Sequence, residues 1–526
     1  MVNKLYRYIV SFAVILVAVS GCQSSETEQL KADYLIKNGK VFLGDGSGLQ
    51  LVDVAICETK ICAIFPSNDK PDIEATSIID ASGKIVSAGF IDPHTHTTQE
   101  LLSKEQNANL NYLTQGVTTV VNGNDGGGTY NISEMATKLE QNGIGTNVAM
   151  FAGHNTIRQA VMGKQDRHAT QAEIEQMKSL LKGAMEEGAL GLSTGLYYVP
   201  GSYASTQEVI ELAKVANQFN GIYDTHLRDE ATFDIGFIAA LKEAIEITDA
   251  AGIHLHLAHI KALGVDAWGL SEQAINIINQ AQNNGSSISA DQYPWLASGT
   301  KLHNAIMPKW VMADSQQAFY DRLNDPELES RLIAEITENI RRRGGPESLL
   351  VTAFEDQSIV GKTLEQLAQE LGMSPAKAAM QLVQRGGIRV ASFNMSEQDL
   401  KRFMQQPWVV TSSDGTNGHP RKYASFPKKF ETYVMEKGLL SLEQFIMRSS
   451  SQTANILGLT DRGLIKQNYA ADIIIWDPKE YKANADFSIW NQLSSGIDSV
   501  WVNGSLVIQN GEFRHKLAGK FLAKPQ

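Results

Sequence analysis

Cysteine is scarce in this chain: 526 residues contain three, too few for a disulfide framework. Nor is there a long block of Lys or Arg, and the formal net charge is −12, which argues against nucleic acid as a partner. That acidity implies solubility and identifies no substrate. No low-complexity tract interrupts a composition that is 43% hydrophobic and 20% charged with 43 glycines, an ordinary globular mix. The longest leading apolar stretch, 8–19, is too short to span a bilayer. The length, by contrast, is ample for a large core and for two to four domains.

The first residues differ from the rest. Lys4 and Arg7 precede the apolar stretch, which ends in Val19-Ser20-Gly21-Cys22. A charged start, a short apolar core and a small-residue cleavage site make a signal peptide over 1–21. Val-Ser-Gly-Cys resembles a bacterial lipobox, which implies cleavage before Cys22 and a lipid anchor on that thiol; the alternative is a plain secretory signal with an incidental cysteine. Gln23 follows Cys22, where similarity to lipoproteins implies the outer membrane, facing the periplasm, in a Gram-negative cell. Residues 22–31 then read as a polar tether.

Cys57 and Cys62 remain. They flank Glu58-Thr59-Lys60-Ile61 in an alternating stretch that predicts a hairpin turning at Thr59-Lys60, with Cys57 opposite Cys62. An exported protein sits where disulfides persist. A disulfide and two buried thiols are both compatible with that spacing.

Short β-rich runs separated by turns such as Asn38-Gly39 fill 32–86, and the same texture returns over 461–526 with Asn503-Gly504 and Asn510-Gly511. One small β-sandwich domain built from both chain ends accounts for them. Between lie strand-like runs at 117–122, 146–152, 189–193, 221–226, 254–259, 287–292 and 408–413, alternating with helical periodicity at 172–187, 206–218, 234–250, 270–282 and 364–371. Adding the run Lys84-Ile85-Val86-Ser87-Ala88-Gly89-Phe90 gives eight strands, so residues 87–460 read as an α/β (β/α)8 TIM barrel with an insertion at about 300–400. Within it, the charged stretch 316–343 is either a lid or a solvated packing element.

Polar residues stand where these strands end. Ile91-Asp92-Pro93-His94-Thr95-His96 closes the first run, and residues two apart on a strand point to one side, so His94 and His96 can face one metal. Asp125 ends the second strand, His226 the fifth, His259 the sixth and Asp414 the eighth. In this architecture catalytic residues come from the C-terminal ends of several strands. Four His and two carboxylates suit one or two Zn²⁺ ions, which polarise a carbonyl and lower the pKa of bound water to about 7. His254 and His256 form a second His-x-His, but alternation puts them opposite His259, facing the helices.

These stretches resemble the amidohydrolase superfamily, and closely the D-aminoacylase (N-acyl-D-amino-acid deacylase) family. The resemblance is carried by Gly89-Phe90-Ile91-Asp92-Pro93-His94-Thr95-His96, Gln115-Gly116-Val117-Thr118-Thr119, Leu190-Gly191-Leu192-Ser193-Thr194-Gly195, Thr225-His226-Leu227-Arg228-Asp229-Glu230, His259-Ile260-Lys261, Ser413-Asp414-Gly415 and His419-Pro420-Arg421. It runs from about residue 32 to about 512. It implies that His94, His96 and Asp414 belong to one metal site and His226 and His259 to the other. Asp414 would also be the general base, and Lys261, Tyr293 and Arg421 would hold the substrate carboxylate. His154 would lie near the site, and the segment from Leu196 to Gly201 would shape the pocket. One position departs: family members carry Gly-Asn-Cys after the second strand, with the thiolate a metal ligand, where this chain has Gly123-Asn124-Asp125. An oxygen donor is harder than sulfur and alters metal preference. Neither Gly153-His154 nor Ser193-Thr194 offers the bridging Lys used by other amidohydrolases. The implied activity is hydrolysis of N-acyl-D-amino acids. The rivals are a dipeptidase for C-terminal D-residues, a cyclic-amide hydrolase, and a lipoprotein that keeps the fold only to bind.

Overall fold

The computed structural model describes residues 29–69 and 71–525. The signal peptide, Cys22 and the tether up to residue 28 lie outside the described residues. Strand pairing already begins at Leu30, where Leu30–Lys37 runs parallel to Ile73–Asp80.

Eight parallel strands make the body: β1 Phe90–Asp92, β2 Val117–Asn122, β3 Asn147–Met150, β4 Gly191–Gly195, β5 Ile222–His226, β6 His254–Leu257, β7 Ile288–Gln292 and β8 Val409–Thr411. One sheet has the order β3-β2-β1; Ala152–Gly153, just past β3, opens a second that runs through β4, β5, β6 and β7 to β8. The strands are buried on both faces, as parallel strands covered by helices must be. Helices Gln171–Glu186, Thr206–Asn217, Phe237–Ala251 and Ser271–Asn283 follow β3 to β6. Thr170 and Glu173 form a capping box on the first, and Ser205 caps the second. Leu255 and Leu257 of β6 pack outward into the same core as Leu212 and Ile247 of these helices.

The chain ends build two more sheets, of four and seven strands. Ile36, Val54, Val86, Ile475 and Trp501 form a shared apolar core there. An aromatic cluster joins this part to the body: Phe90 at the start of β1 lies 5.6 Å from Phe426 and 6.4 Å from Trp476. Asp472 adds a polar tie, accepting from Asn147 of β3 at 2.9 Å and pairing with Arg462.

The single strand expected over 84–90 is two strands. Ile85–Ala88 belongs to the seven-stranded terminal sheet and Phe90–Asp92 to the body. Gly89 is the hand-over: a Cβ there would come within 2.2 Å of Thr118 Oγ1, so only glycine lets the chain pass so close to β2. His94 and His96 consequently lie past the strand. The hairpin also differs. It turns at Glu58-Thr59, with Cys57 opposite Lys60 and a bulge between Ala55 and Ile56. Cys62 lies diagonally across the hairpin from Cys57, and the two are disulfide-bonded with Cα atoms 5.6 Å apart.

Between β7 and β8 an antiparallel sheet places Arg389–Ser392 between Ser298–Lys301 and Leu349–Ala353. Helices including Gln316–Leu323 and Glu329–Arg342 surround a separate apolar core with Leu332, Val351 and Leu382. Glu329–Arg342 buries Leu332, Ile336 and Ile340, an i, i+4, i+8 stripe that makes it a packing element rather than a lid.

Candidate metal centre

Polar side chains converge at the C-terminal ends of the parallel strands. His226 ends β5; the other five candidates sit on the turns just beyond β1, β2, β6 and β8. Three have left-handed backbones: Asp125 at φ 56°, His259 at φ 36° and Asp414 at φ 47°. Such positions are strained for non-glycine residues and persist where the surroundings over-determine them. Here Asp414 N donates to His94 O at 2.9 Å, and His259 N donates to Asp291 Oδ1 at 3.1 Å. The left-handed step at His259 breaks the strand's alternation.

Asp125 is the hub. Its Oδ1 lies 3.5 Å from His94 Nε2, 3.5 Å from His226 Nδ1 and 3.2 Å from His259 Nε2, and its Oδ2 is 3.4 Å from His96 Nε2. Asp414 Oδ1 is 3.3 Å from His96 and 3.7 Å from His94. Two groups emerge from these six residues, His94 with His96, Asp125 and Asp414, and Asp125 with His226 and His259. A third behind them joins His94 to Asp224 and Asp291; within each the ligand atoms lie within 4.8 Å of one another. Both ring nitrogens of His94 and Oδ1 of Asp125 are buried without a hydrogen-bond partner. Buried polar atoms rarely go unpaired, and imidazole and carboxylate atoms aimed at a common point are the donors a divalent cation takes. The residues fit such an ion.

Charge settles around this cluster in a consistent way. Burial opposes ionisation of Asp125, yet His94 and His259 hold it well below the usual carboxylate range. Asp414 likewise overcomes its burial because Arg421, at 2.7 Å from its Oδ2, and His259 pull it down. Burial leaves His226 with a lowered pKa.

Sequence reading missed two carboxylates. Glu230 closes the Thr225–Glu230 stretch; its Oε1 accepts from Lys261 Nζ at 2.7 Å and lies 3.2 Å from His259 Nδ1. Asp291 near the end of β7 stands 3.7 Å from His94 Nδ1 and accepts from Ser412. A carboxylate at the end of the seventh strand was the signal available for it. The placement of His254 and His256 against the helices is overturned. His256 Nε2 is 3.0 Å from Asp291 Oδ2 and Nδ1 is 2.8 Å from Ser289 Oγ, so the pair faces the interior and His256 buttresses the carboxylate behind His94. His154 pairs with Glu208 at 2.8 Å, as does Arg158 at 3.1 Å, a buried brace outside the ligand groups.

A cavity of about 550 Å³ opens over the cluster. Lys261 and Arg421 line it, as do Tyr197 and Tyr198, whose rings lie 5.7 and 4.8 Å from His226. Tyr293 is buried beside the wall, its ring 4.8 Å from the Arg421 guanidinium and 5.7 Å from Lys261 Nζ, with its hydroxyl toward Met395 Sδ at 3.7 Å.

Parallel strands with a His and carboxylate cluster at one end define a metal-dependent hydrolase class. The Amidohydrolase family matches residues 77–508, and the chain belongs to that family. It is 30% identical to a D-aminoacylase of Alcaligenes xylosoxydans xylosoxydans, over 95% of this chain and 99% of the relative. It is 31% identical to an N-acyl-D-aspartate deacylase of the same organism, over 94% and 95%. The crystal structure of N-acyl-D-glutamate deacylase from Bordetella bronchiseptica, complexed with zinc and a phosphonate mimic of the tetrahedral intermediate, superposes with a TM-score of 0.79 at 28% identity, covering 94% of this chain and all of that one.

Proposed function

We propose that this protein hydrolyses the amide bond of N-acyl-D-amino acids, releasing a carboxylate and a free D-amino acid. The observation that carries it is the cluster itself: two His and carboxylate groups sharing Asp125, with Arg421 and Lys261 lining the same cavity. Relatives named as D-aminoacylase and N-acyl-D-aspartate deacylase, matched nearly end to end, support the same reading.

His94, His96, Asp125, His226, His259 and Asp414 would hold one or two Zn²⁺ ions, which when bound supply Lewis acidity toward the scissile carbonyl and toward water. Asp414 Oδ1 takes the proton of the attacking water as the new C–O bond forms. It then delivers that proton to the amine nitrogen as the C–N bond breaks. Its low pKa favours the ionised form that accepts the proton. Arg421 and Lys261 receive the substrate α-carboxylate, Arg421 by its planar fork, and Tyr293 holds both cations in position from beneath. Asp291 and His256 orient His94, and Glu230 orients His259 and Lys261.

We also read the eight strands as a closed (β/α)8 barrel. The parallel bridge between Thr95 and Gly415, just past β1 and β8, supports closure. The lipobox-like Val19-Ser20-Gly21-Cys22 supports an exported protein held by a lipid on Cys22, at the outer membrane of a Gram-negative cell.

Amine release from paired N-acetyl-D- and N-acetyl-L-amino acids and from L-Xaa-D-Xaa dipeptides, after chelation and after Zn²⁺ is restored, tests the activity. The expected result is metal-dependent release from the D-acetyl compounds. Release from dipeptides alone would make the protein a peptidase, and silence with metal bound would overturn deacylation.

A further inference from the structure

Cations around the cavity fall into two sets. Lys261 donates to Glu230, Arg421 pairs with Asp414, and Arg343 donates to Ala305 O at 2.6 Å and to Tyr197 at 3.3 Å. Each of these already has a partner. Among the described residues, the side chains of Arg389 and Lys301 form no hydrogen bond or ion pair. They are cross-strand partners in the inserted sheet, and both line the cavity. Lys301 is exposed at the mouth; Arg389 lies deeper. Burial, and then the neighbouring Arg421, push the Arg389 pKa down to about 10. Asp414, Tyr198 and Glu100 offset this only in part and without direct contact. A partly desolvated guanidinium lacking an ion-pair partner is costly to keep, and a ligand's anion would lower that cost.

Position decides which part of a ligand arrives there. Arg421, the proposed α-carboxylate residue, donates to Gly299 O at 3.2 Å. Gly299 lies two residues from Lys301 on the strand that pairs with Arg389. Arg421 also acts on Arg389 across the cavity that both line, which points to the amino-acid half of the substrate, rather than the acyl chain, as the part nearer Arg389. We propose that Arg389, assisted by Lys301, forms a second anion subsite that selects N-acyl-D-amino acids whose side chain ends in a carboxylate, of aspartate or glutamate length. This specificity rests on the deacylase reading above.

The test compares kcat/KM of the zinc-loaded protein for N-acetyl-D-glutamate and its neutral isostere N-acetyl-D-glutamine, in the parent and in Arg389→Gln. The parent is expected to favour the acid by tenfold or more. Losing one partner of a desolvated charge pair costs about 100-fold, so Arg389→Gln is expected to lose about that on the acid, chiefly through KM, and to stay within about threefold on the amide. Equal losses on both substrates would make Arg389 an α-carboxylate or scaffold residue and overturn the subsite. So would unchanged kinetics, or a parent that prefers the amide, with deacylation itself intact. If Arg389→Gln fails to fold, Lys301→Met on the exposed side must still lower the acid-to-amide ratio, and an unchanged ratio overturns the proposal. If no N-acyl compound turns over, the deacylase reading fails separately. Calorimetric titration with N-acetyl-D-glutamate and N-acetyl-D-glutamine then decides the subsite: a preference for the acid that Arg389→Gln abolishes upholds it, and equal binding overturns it.

Discussion

The terminal sheets and the mouth of the eight-stranded body both depend on left-handed residues at strand ends, but to opposite purposes. In the terminal part they include Asn503 and Asn510, each preceding glycine in a hairpin turn. They also include Asn38, which precedes Gly39 where the chain passes from one sheet to the other, and Glu58 in the turn after Cys57. Asparagine tolerates that conformation, and Asn-Gly is the commonest short hairpin signal. Behind these turns the interior is apolar, with Ile36, Val54, Ile475 and Trp501. At the mouth the left-handed residues are Asp125, His259 and Asp414, and the interior behind them is a lattice of Asp92, Asp224, His256 and Asp291. One region uses strained geometry to turn the chain and buries hydrocarbon for stability. The other uses it to aim ligand atoms and buries charge. Substitutions should therefore separate activity from stability along this divide.

The largest effect is expected at the mouth. Asp414→Asn removes the proposed proton carrier while keeping side-chain size, so kcat should fall about 10²- to 10⁴-fold while the melting temperature stays close to that of the parent. Steady-state kinetics with thermal unfolding checks both; a large drop in melting temperature would mean that the buried acid also carries stability. The converse is expected of Ile475→Ala, fully buried in the terminal core. A cavity there should cost about 2–5 kcal/mol in denaturant unfolding, with kcat per folded molecule unchanged. If kcat fell as well, the aromatic joint from Trp476 to Phe90 would be transmitting strain to β1, and the two regions would not be independent.

The same divide explains what the sequence revealed. Hairpin turns, strand-end His and Asp residues and the alternation of strand and helix are local signals, and each led to the right neighbourhood. What misled was alternation carried past its end: β6 stops at Leu257, and the left-handed step at His259 reverses the expected faces of His254 and His256. Glu230 and Asp291 were hidden because their roles depend on neighbours 29 to 197 positions away, His259 for one and His94 for the other. The departure at Asp125 also has a local reason, since aspartate occupies left-handed backbone more readily than cysteine. Arg389 carried no sequence signal, because its partner strand Ser298–Lys301 is remote in the chain.

The smallest expected effect lies in the lattice beneath the mouth. His254 is held by Ser287 Oγ and Ser289 Oγ, each at 2.7 Å, and burial followed by the neighbouring His256 pushes its pKa down to about 4. In the unfolded chain its ordinary value is 6.5. The native state therefore keeps His254 neutral while the unfolded state takes up a proton. The stability this contributes is whole above about pH 6.5 and is lost as the pH falls toward about 4, on the order of 1–2 kcal/mol by pH 5. Replacing the imidazole with an amide that cannot titrate, His254→Gln, should make unfolding free energy less dependent on pH across that window. Denaturant melts of parent and variant at about pH 7 and about pH 5 measure the difference. Identical slopes would mean that His254 titrates normally, and that the polar interior reaches only as deep as His256.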